Sequence, residues 1–141
     1  MIEVINRQRK YRINKHRFKI LLERLVEHYS LNDPEITLAF VNNTRIQKLN
    51  KEFLGENRPT DVLSFPIGEK GADGKFYLGD IIISVHKAFQ QSAVKEHELE
   101  KELEHLTIHG FLHLVGFVHD KGMEEEEEMI RKAIIEDRHG R

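Results

Sequence analysis

The chain has no cysteine and no tryptophan, and only 3 prolines among its 141 residues. Without cysteine there is no disulfide framework, no thiol nucleophile and no thiolate metal site. Any transition-metal centre would have to be built from histidine and carboxylate. No stretch approaches the roughly 18 uncharged apolar residues that a membrane helix needs. No apolar segment follows the charges of the opening MIEVINRQRKYR, so a secretory leader is not expected and the cytosol is the expected compartment. Repeats, low-complexity tracts and Pro/Gly-rich linkers are also missing, so residues 1–141 read as one domain, within the usual range of about 100–200 residues. A hydrophobic fraction of 39% is enough to bury a core, which excludes a disordered or collagen-like chain.

Charge, by contrast, is plentiful. Charged residues make up 33% of the chain, against about 25% in typical globular domains. A Glu/Lys-rich composition lacking cysteine suits a heat-adapted organism. The net charge of −2 conceals a lopsided distribution. Arg7, Arg9, Lys10, Arg12, Lys15, Arg17, Lys19 and Arg24 make the N-terminal part basic, whereas acids dominate from Glu96 to Glu128. The basic part suits either a phosphate backbone or a solvated surface.

Periodicity lays out the elements. Ile2–Asn6 reads as a short edge strand. Asn14 is placed to cap a helix whose apolar stripe is Phe18, Leu21, Leu22, Leu25, Val26 and Tyr29. After Asn32-Asp33-Pro34, the alternation of Ile36, Leu38 and Phe40 is that of a strand. A second helix, capped by Asn43 or Thr44, carries Ile46, Leu49 and Phe53 and ends at Gly55. Val62–Ile67 is a strand that Pro66 favours at a sheet edge. Gly68–Lys75 forms a hairpin loop, and Phe76–Val85 is the most apolar strand. Helices follow at His86–Val94, Glu96–Val115 and Met123–Arg138, the last with Met129, Ile130, Ala133 and Ile134 facing inward. The expected fold is α+β, an α/β sandwich. About four strands form a mixed sheet packed with about five helices, and the central helix carries an HxxxH pair.

That pair is the centre of the chemistry. His109 and His113 stand four residues apart, so they share one helix face about 6 Å apart along the axis. Two such imidazoles can reach one ion at about 2.0–2.1 Å. Gly116 lets the chain leave the helix sharply, so that His119 can fold back as a third ligand. Three nitrogen ligands leave a fourth position open, the catalytic rather than the structural pattern. The plainer alternative is a buried histidine stripe with no metal. His105, one turn earlier, reads as a supporting partner of the site or a structural residue rather than as a ligand.

The spacing is also that of the zinc peptidases with HExxHxxGxxH, in which the Glu is the general base. Here Gly110 stands in the place of that Glu. Asp80, in the apolar strand, is a candidate to orient a ligand histidine through its second ring nitrogen, or else a bulge residue. Asp61 reads as a turn or cap residue. Ser64 faces one side of its strand, towards the cleft or away from it. Glu124–Glu128 reads as the solvated first turn of a helix, where acids suit the dipole, and not as a metal site.

HGFLHLVGFVH, at residues 109–119, resembles the HGxLHLxGxxH signature of the YbeY family of metal-dependent endoribonucleases. Pro59-Thr-Asp-Val-Leu-Ser-Phe-Pro66 is similar to that family's PTDVLSFP, and Leu78-Gly-Asp-Ile81 to its GDI strand. The likeness runs from about Val41 to His119. It implies one divalent ion, zinc above all, on His109, His113 and His119. It also implies a single-stranded RNA substrate in rRNA maturation and ribosome quality control, with the ribosome or its small subunit as partner. Two positions depart from the family pattern. Val118 precedes the third histidine where the family has Asp, with Asp120 just after it. Leu54 stands five residues before Pro59 where the family has Arg, and Arg58 is the nearby candidate to supply that charge.

The chemistry expected is metal-assisted cleavage of an RNA phosphodiester, with either water or the ribose 2′-hydroxyl attacking. A cation near the phosphorus would assist. Two alternatives stand beside it. One is a zinc peptidase-like hydrolase with an unconventional base. The other is a metal-stabilised ribosome-assembly factor that binds RNA without cutting it.

Overall fold

The computed structural model describes residues 1–95, 98–118 and 122–136. In chain order its elements are β1 (Ile2–Asn6), α1 (Lys15–His28), β2 (Glu35–Val41), α2 (Asn43–Leu54), β3 (Val62–Lys70), β4 (Phe76–Ser84), α3 (Val85–Val94), α4 (Leu99–Leu114) and α5 (Met123–Ile130). A π-helical turn, Arg131–Glu136, continues α5. The four strands form one sheet in the order β1-β2-β4-β3. β1 and β4 run parallel to β2, and β3 runs antiparallel to β4. The mixed four-stranded sheet with five α-helices is the α+β architecture that the periodicity predicts, and Pro66 lies on an edge strand as expected.

Side-chain alternation divides the sheet into two faces. Ile36, Leu38, Phe40, Ile81 and Ile83 face the main core, which α1, α4 and α5 complete. Helix α1 contributes Phe18, Leu21, Leu22 and Leu25, all essentially inaccessible. Burial of each is worth about 1.5–3 kcal/mol. The opposite face carries a smaller cluster of Val41, Ile46 and Leu63, flanked by Leu49, Phe65 and Ile82, beneath α2.

Helix ends follow local chemistry, with small departures from the pattern reading. The Asn14 side chain accepts from Arg17 N, as expected of a cap. At α2 the cap is Asn42, one residue before the expected Asn43, and its side chain accepts from Arg45 N at 2.8 Å. Gly55 closes α2 in a left-handed conformation. Strand β3 runs on to Lys70, which leaves a tighter connection than Gly68–Lys75, with Gly71 N bonded to Lys75 O.

The last helix departs most. Ile130, Ile134 and Ile135 are buried, whereas Met129 and Ala133 are exposed. The wider π turn shifts the inward stripe by one position, so a strict 3.6-residue count misplaces it. In the basic N-terminal part, Arg17 is engaged by Glu100 and Glu104 on α4, and Arg7, Arg9, Lys10 and Arg12 are exposed.

Candidate metal centre

Helix α4 lies against β3 and β4 because one of its residues has no side chain. A Cβ on Gly110 would stand 2.6 Å from Ile81 Cγ2 and 3.2 Å from Ser64 Oγ. Contacts of that length leave no room for alanine, let alone glutamate. The Ser64 hydroxyl donates to the Gly110 carbonyl at 3.2 Å and fastens β3 to the helix. The glutamate base of the HExxH peptidases is therefore excluded sterically from this position as well as absent from the sequence. A peptidase reading would need a base from elsewhere.

The C-terminus of α4 is closed by a double backbone bond. Gly116 N donates to His113 O at 3.1 Å and Phe117 N donates to Leu112 O at 2.9 Å. This pairing is the Schellman pattern, and it needs a left-handed residue at Gly116, where φ is +106°. The turn also brings the Phe117 carbonyl back to within 3.1 Å of His113 Nδ1. A carbonyl only accepts, so His113 Nδ1 carries the proton and its Nε2 is left with a lone pair.

His109 is held by the same logic from another element. Its Nδ1 bonds to the Glu127 carboxylate on α5, which leaves Nε2 as the lone-pair nitrogen here too. The two Nε2 atoms stand 3.2 Å apart. Ligands at about 2.0–2.1 Å on a tetrahedral ion are separated by about 3.3 Å. The imidazole pair therefore fits one edge of a zinc coordination sphere, and two converging lone pairs need a cation or a shared proton between them.

Among the described residues no group of three histidine, aspartate or glutamate side chains is arranged to hold a metal ion. The third candidate, His119, and the neighbouring Asp120 lie outside the described residues.

The histidines open onto a cavity of about 570 Å³ lined by Leu54, Thr60–Ser64 and Pro66, and by Gly116–Val118 on the other side. Ser64 faces this cavity, which settles the side left open by its strand alternation. Asp61 lines it too, its carboxylate accepting from Val62 N at 2.7 Å and from Gln91 Nε2 at 3.2 Å. Leu54 forms part of the wall, 58% exposed, where the family pattern has arginine.

Two expectations are corrected. Asp80 neighbours Ile81, whose side chain faces α4, and so projects from the other face of the sheet. There it bonds to Thr37 on β2, and burial raises its pKa above the usual aspartate value despite that bond. It orients neither His109 nor His113. Arg58 is exposed, its guanidinium paired with Glu56 at 3.0–3.1 Å, and it does not line the cavity.

The residue that does orient a histidine, Glu127, sits in the acidic run read as merely solvated. Its neighbour Glu126 accepts from the Tyr29 hydroxyl, so two consecutive acids dock α5 onto the body of the protein. No sequence signal separates these two from the other acids of the run. His105 lines a smaller adjacent cavity of about 310 Å³ together with His109, Asp61, Gln91, Glu127 and Arg131.

Fold and site together define a class: an α+β protein whose sheet carries a helix with an imidazole pair spaced for a divalent ion, beside a cavity of mixed polar and apolar lining. Within that class, residues 3–136 match the family model described as endoribonuclease YbeY, and the chain belongs to that family. It is 42% identical over 130 residues to the endoribonuclease YbeY of Bacillus licheniformis, covering 86% of this chain and 82% of the relative. It is 37% identical over 123 residues to that of Aquifex aeolicus, covering 87% and 81%. A Thermotoga maritima protein of known solution structure superposes with a TM-score of 0.67 at 26% identity, covering 99% of this chain and 93% of that one.

Proposed function

We propose that this chain is a metal-dependent endoribonuclease that cuts single-stranded RNA, with one zinc-type ion held by His109, His113 and His119. The observation that carries the metal reading is the 3.2 Å approach of the two Nε2 atoms, each on a ring whose Nδ1 is bonded elsewhere. Family membership carries the substrate: relatives over most of the chain bear the name endoribonuclease. Ribosomal RNA as the natural substrate, the ribosome or its small subunit as partner and the cytoplasm as the place of action are part of the same proposal and follow from the motif resemblance.

An ion at this position supplies a Lewis acid and a water of lowered pKa. The residues of the chain do the remainder. Glu127 and the Phe117 carbonyl fix both rings, so little reorganisation is left to the moment of reaction. The cavity beside them, of about 570 Å³, is walled on one side by Thr60–Ser64. The Ser64 hydroxyl is committed to the Gly110 carbonyl, which makes it a structural fastener rather than a nucleophile.

The test is incubation of zinc-loaded protein with an end-labelled single-stranded RNA, beside His113→Ala prepared identically. Cleavage by the first alone is expected. A 5′-phosphate with a 3′-hydroxyl on the products identifies water as the nucleophile, and a 2′,3′-cyclic phosphate with a 5′-hydroxyl identifies the ribose hydroxyl. Stoichiometric zinc with no cleavage would overturn the nuclease reading and favour a non-catalytic assembly factor.

A further inference from the structure

Glu127 is separated from His109 by 18 residues and stands on a different helix, yet its Oε1 bonds to His109 Nδ1. Its other oxygen faces the Arg131 guanidinium at 3.8 Å. The Glu127 side chain is only 17% exposed and that of His109 23%, so the contact is sheltered from bulk water. Arg131 opens the π-helical turn. Helix α5 is docked independently of this contact, by buried Met123 and Ile130 and by the Glu126–Tyr29 bond.

We propose that Glu127 is a positioning residue for the metal centre. This rests on the metal reading above and adds to it the part of the molecule that prepares the ligand. The carboxylate holds the proton on His109 Nδ1, so Nε2 presents its lone pair towards the point His113 Nε2 already faces. It also places a negative charge behind the imidazole, making the ring a stronger donor and offsetting part of the charge of a divalent ion. Arg131 faces the other carboxylate oxygen at 3.8 Å. His113 receives a neutral carbonyl as its partner and His109 a charged one. The acidic run is accordingly more than a solvated helix start: one of its members acts through His109 on the metal.

The role is read by comparing Glu127→Ala and Glu127→Gln with the unaltered protein, using Zn²⁺ alone in competition with a chromophoric chelator. Co²⁺ binding is followed by its visible spectrum, and melting of the metal-free proteins is measured in parallel. Outer carboxylate partners of metal-bound histidines are worth about 10–100-fold in affinity. Glu127→Ala is expected to lose zinc affinity in that range. Glu127→Gln, which keeps an acceptor but not the charge, should lose less. The cobalt band should shift in both variants, and the metal-free melting temperature should change little.

Unchanged zinc affinity in Glu127→Ala, or a loss that merely tracks a lowered melting temperature, would overturn the proposal. Tight zinc binding by the unaltered protein and none by His113→Ala would in that case leave the metal reading standing. Failure of the unaltered protein to bind zinc would overturn both.

Discussion

His113 Nε2 stands 3.2 Å from His109 Nε2, and neither ring reached that position through helix spacing alone. One is turned by a backbone carbonyl in the turn that ends its own helix, the other by a carboxylate from the next helix. This shared preparation determines how the protein should respond to metal and to substitution at the site.

Removal of the ion should be felt as lost stability. A ligand bound only by the native state stabilises it by about 2.7 kcal/mol when present at 100 times its dissociation constant. Treatment with a chelator is therefore expected to lower the melting temperature of the unaltered protein by several degrees. The same treatment should leave His113→Ala unmoved. Calorimetry with and without chelator checks this, and equal shifts in the two proteins would count against the site.

Gly110 should tolerate nothing larger. Gly110→Ala places a Cβ 2.6 Å from Ile81 Cγ2 and crowds the Ser64 hydroxyl that holds the helix. Overpacking of this kind costs about 1–3 kcal/mol. Denaturant unfolding is expected to show that loss, with RNA cleavage falling as α4 is pushed off the sheet. A stable Gly110→Glu protein that cleaves peptides would contradict the steric argument.

Leu54 lines the cavity where the family pattern has an arginine. A guanidinium there would border the same cavity as the histidines and could meet charge developing on phosphoryl oxygens, whereas Arg58, exposed and paired with Glu56, does not line it. Leu54→Arg is expected to raise the single-turnover cleavage rate by about tenfold or more with little change in melting temperature. Kinetics on a short labelled RNA would decide it, and an unchanged rate would mean the position does not act on the transition state.

Asp80 gives the pH dependence. Burial raises its pKa in the folded protein, opposed only by the Thr37 hydroxyl. The folded state therefore binds this proton more tightly than the unfolded chain. Stability from this group is fully present below the unfolded aspartate value of about 3.9 and is lost as pH rises through the folded pKa. Asp80→Asn should be the more stable protein at neutral pH, with its advantage vanishing in acid. Because Asp80 lies on the face away from the histidines, RNA cleavage should persist. Melting curves at several pH values, paired with a cleavage assay, test both halves.

Much of this protein was readable without coordinates. The i, i+3, i+4 stripe from Phe18 to Val26 and the alternation of Ile36, Leu38 and Phe40 are local records of burial on one face. They name the helix and the strand because each element must hide the same side of itself along its length. The spacing of His109 and His113 is likewise a property of a single helix, and the motifs at Pro59–Pro66 and Leu78–Ile81 carry the family.

What stayed hidden depends on which elements meet. Asp80 looked suited to orient a histidine, but its place next to Ile81 in the strand turns it to the other face. Glu127 looked like one solvated acid among five, and only the docking of α5 against α4 brings it to His109. The inward stripe of the last helix slipped because a π turn breaks the period on which such counting relies.

The sequence by itself determined the elements, the imidazole pair and the family, because these are written in short-range spacing and composition. Only the tertiary structure decided which partner fixes each imidazole and which face each strand residue serves. Glu127 lies 18 residues from His109, and the Phe117 carbonyl, though only four from His113, is aimed by the turn that ends the helix; neither contact leaves a periodic trace along the chain.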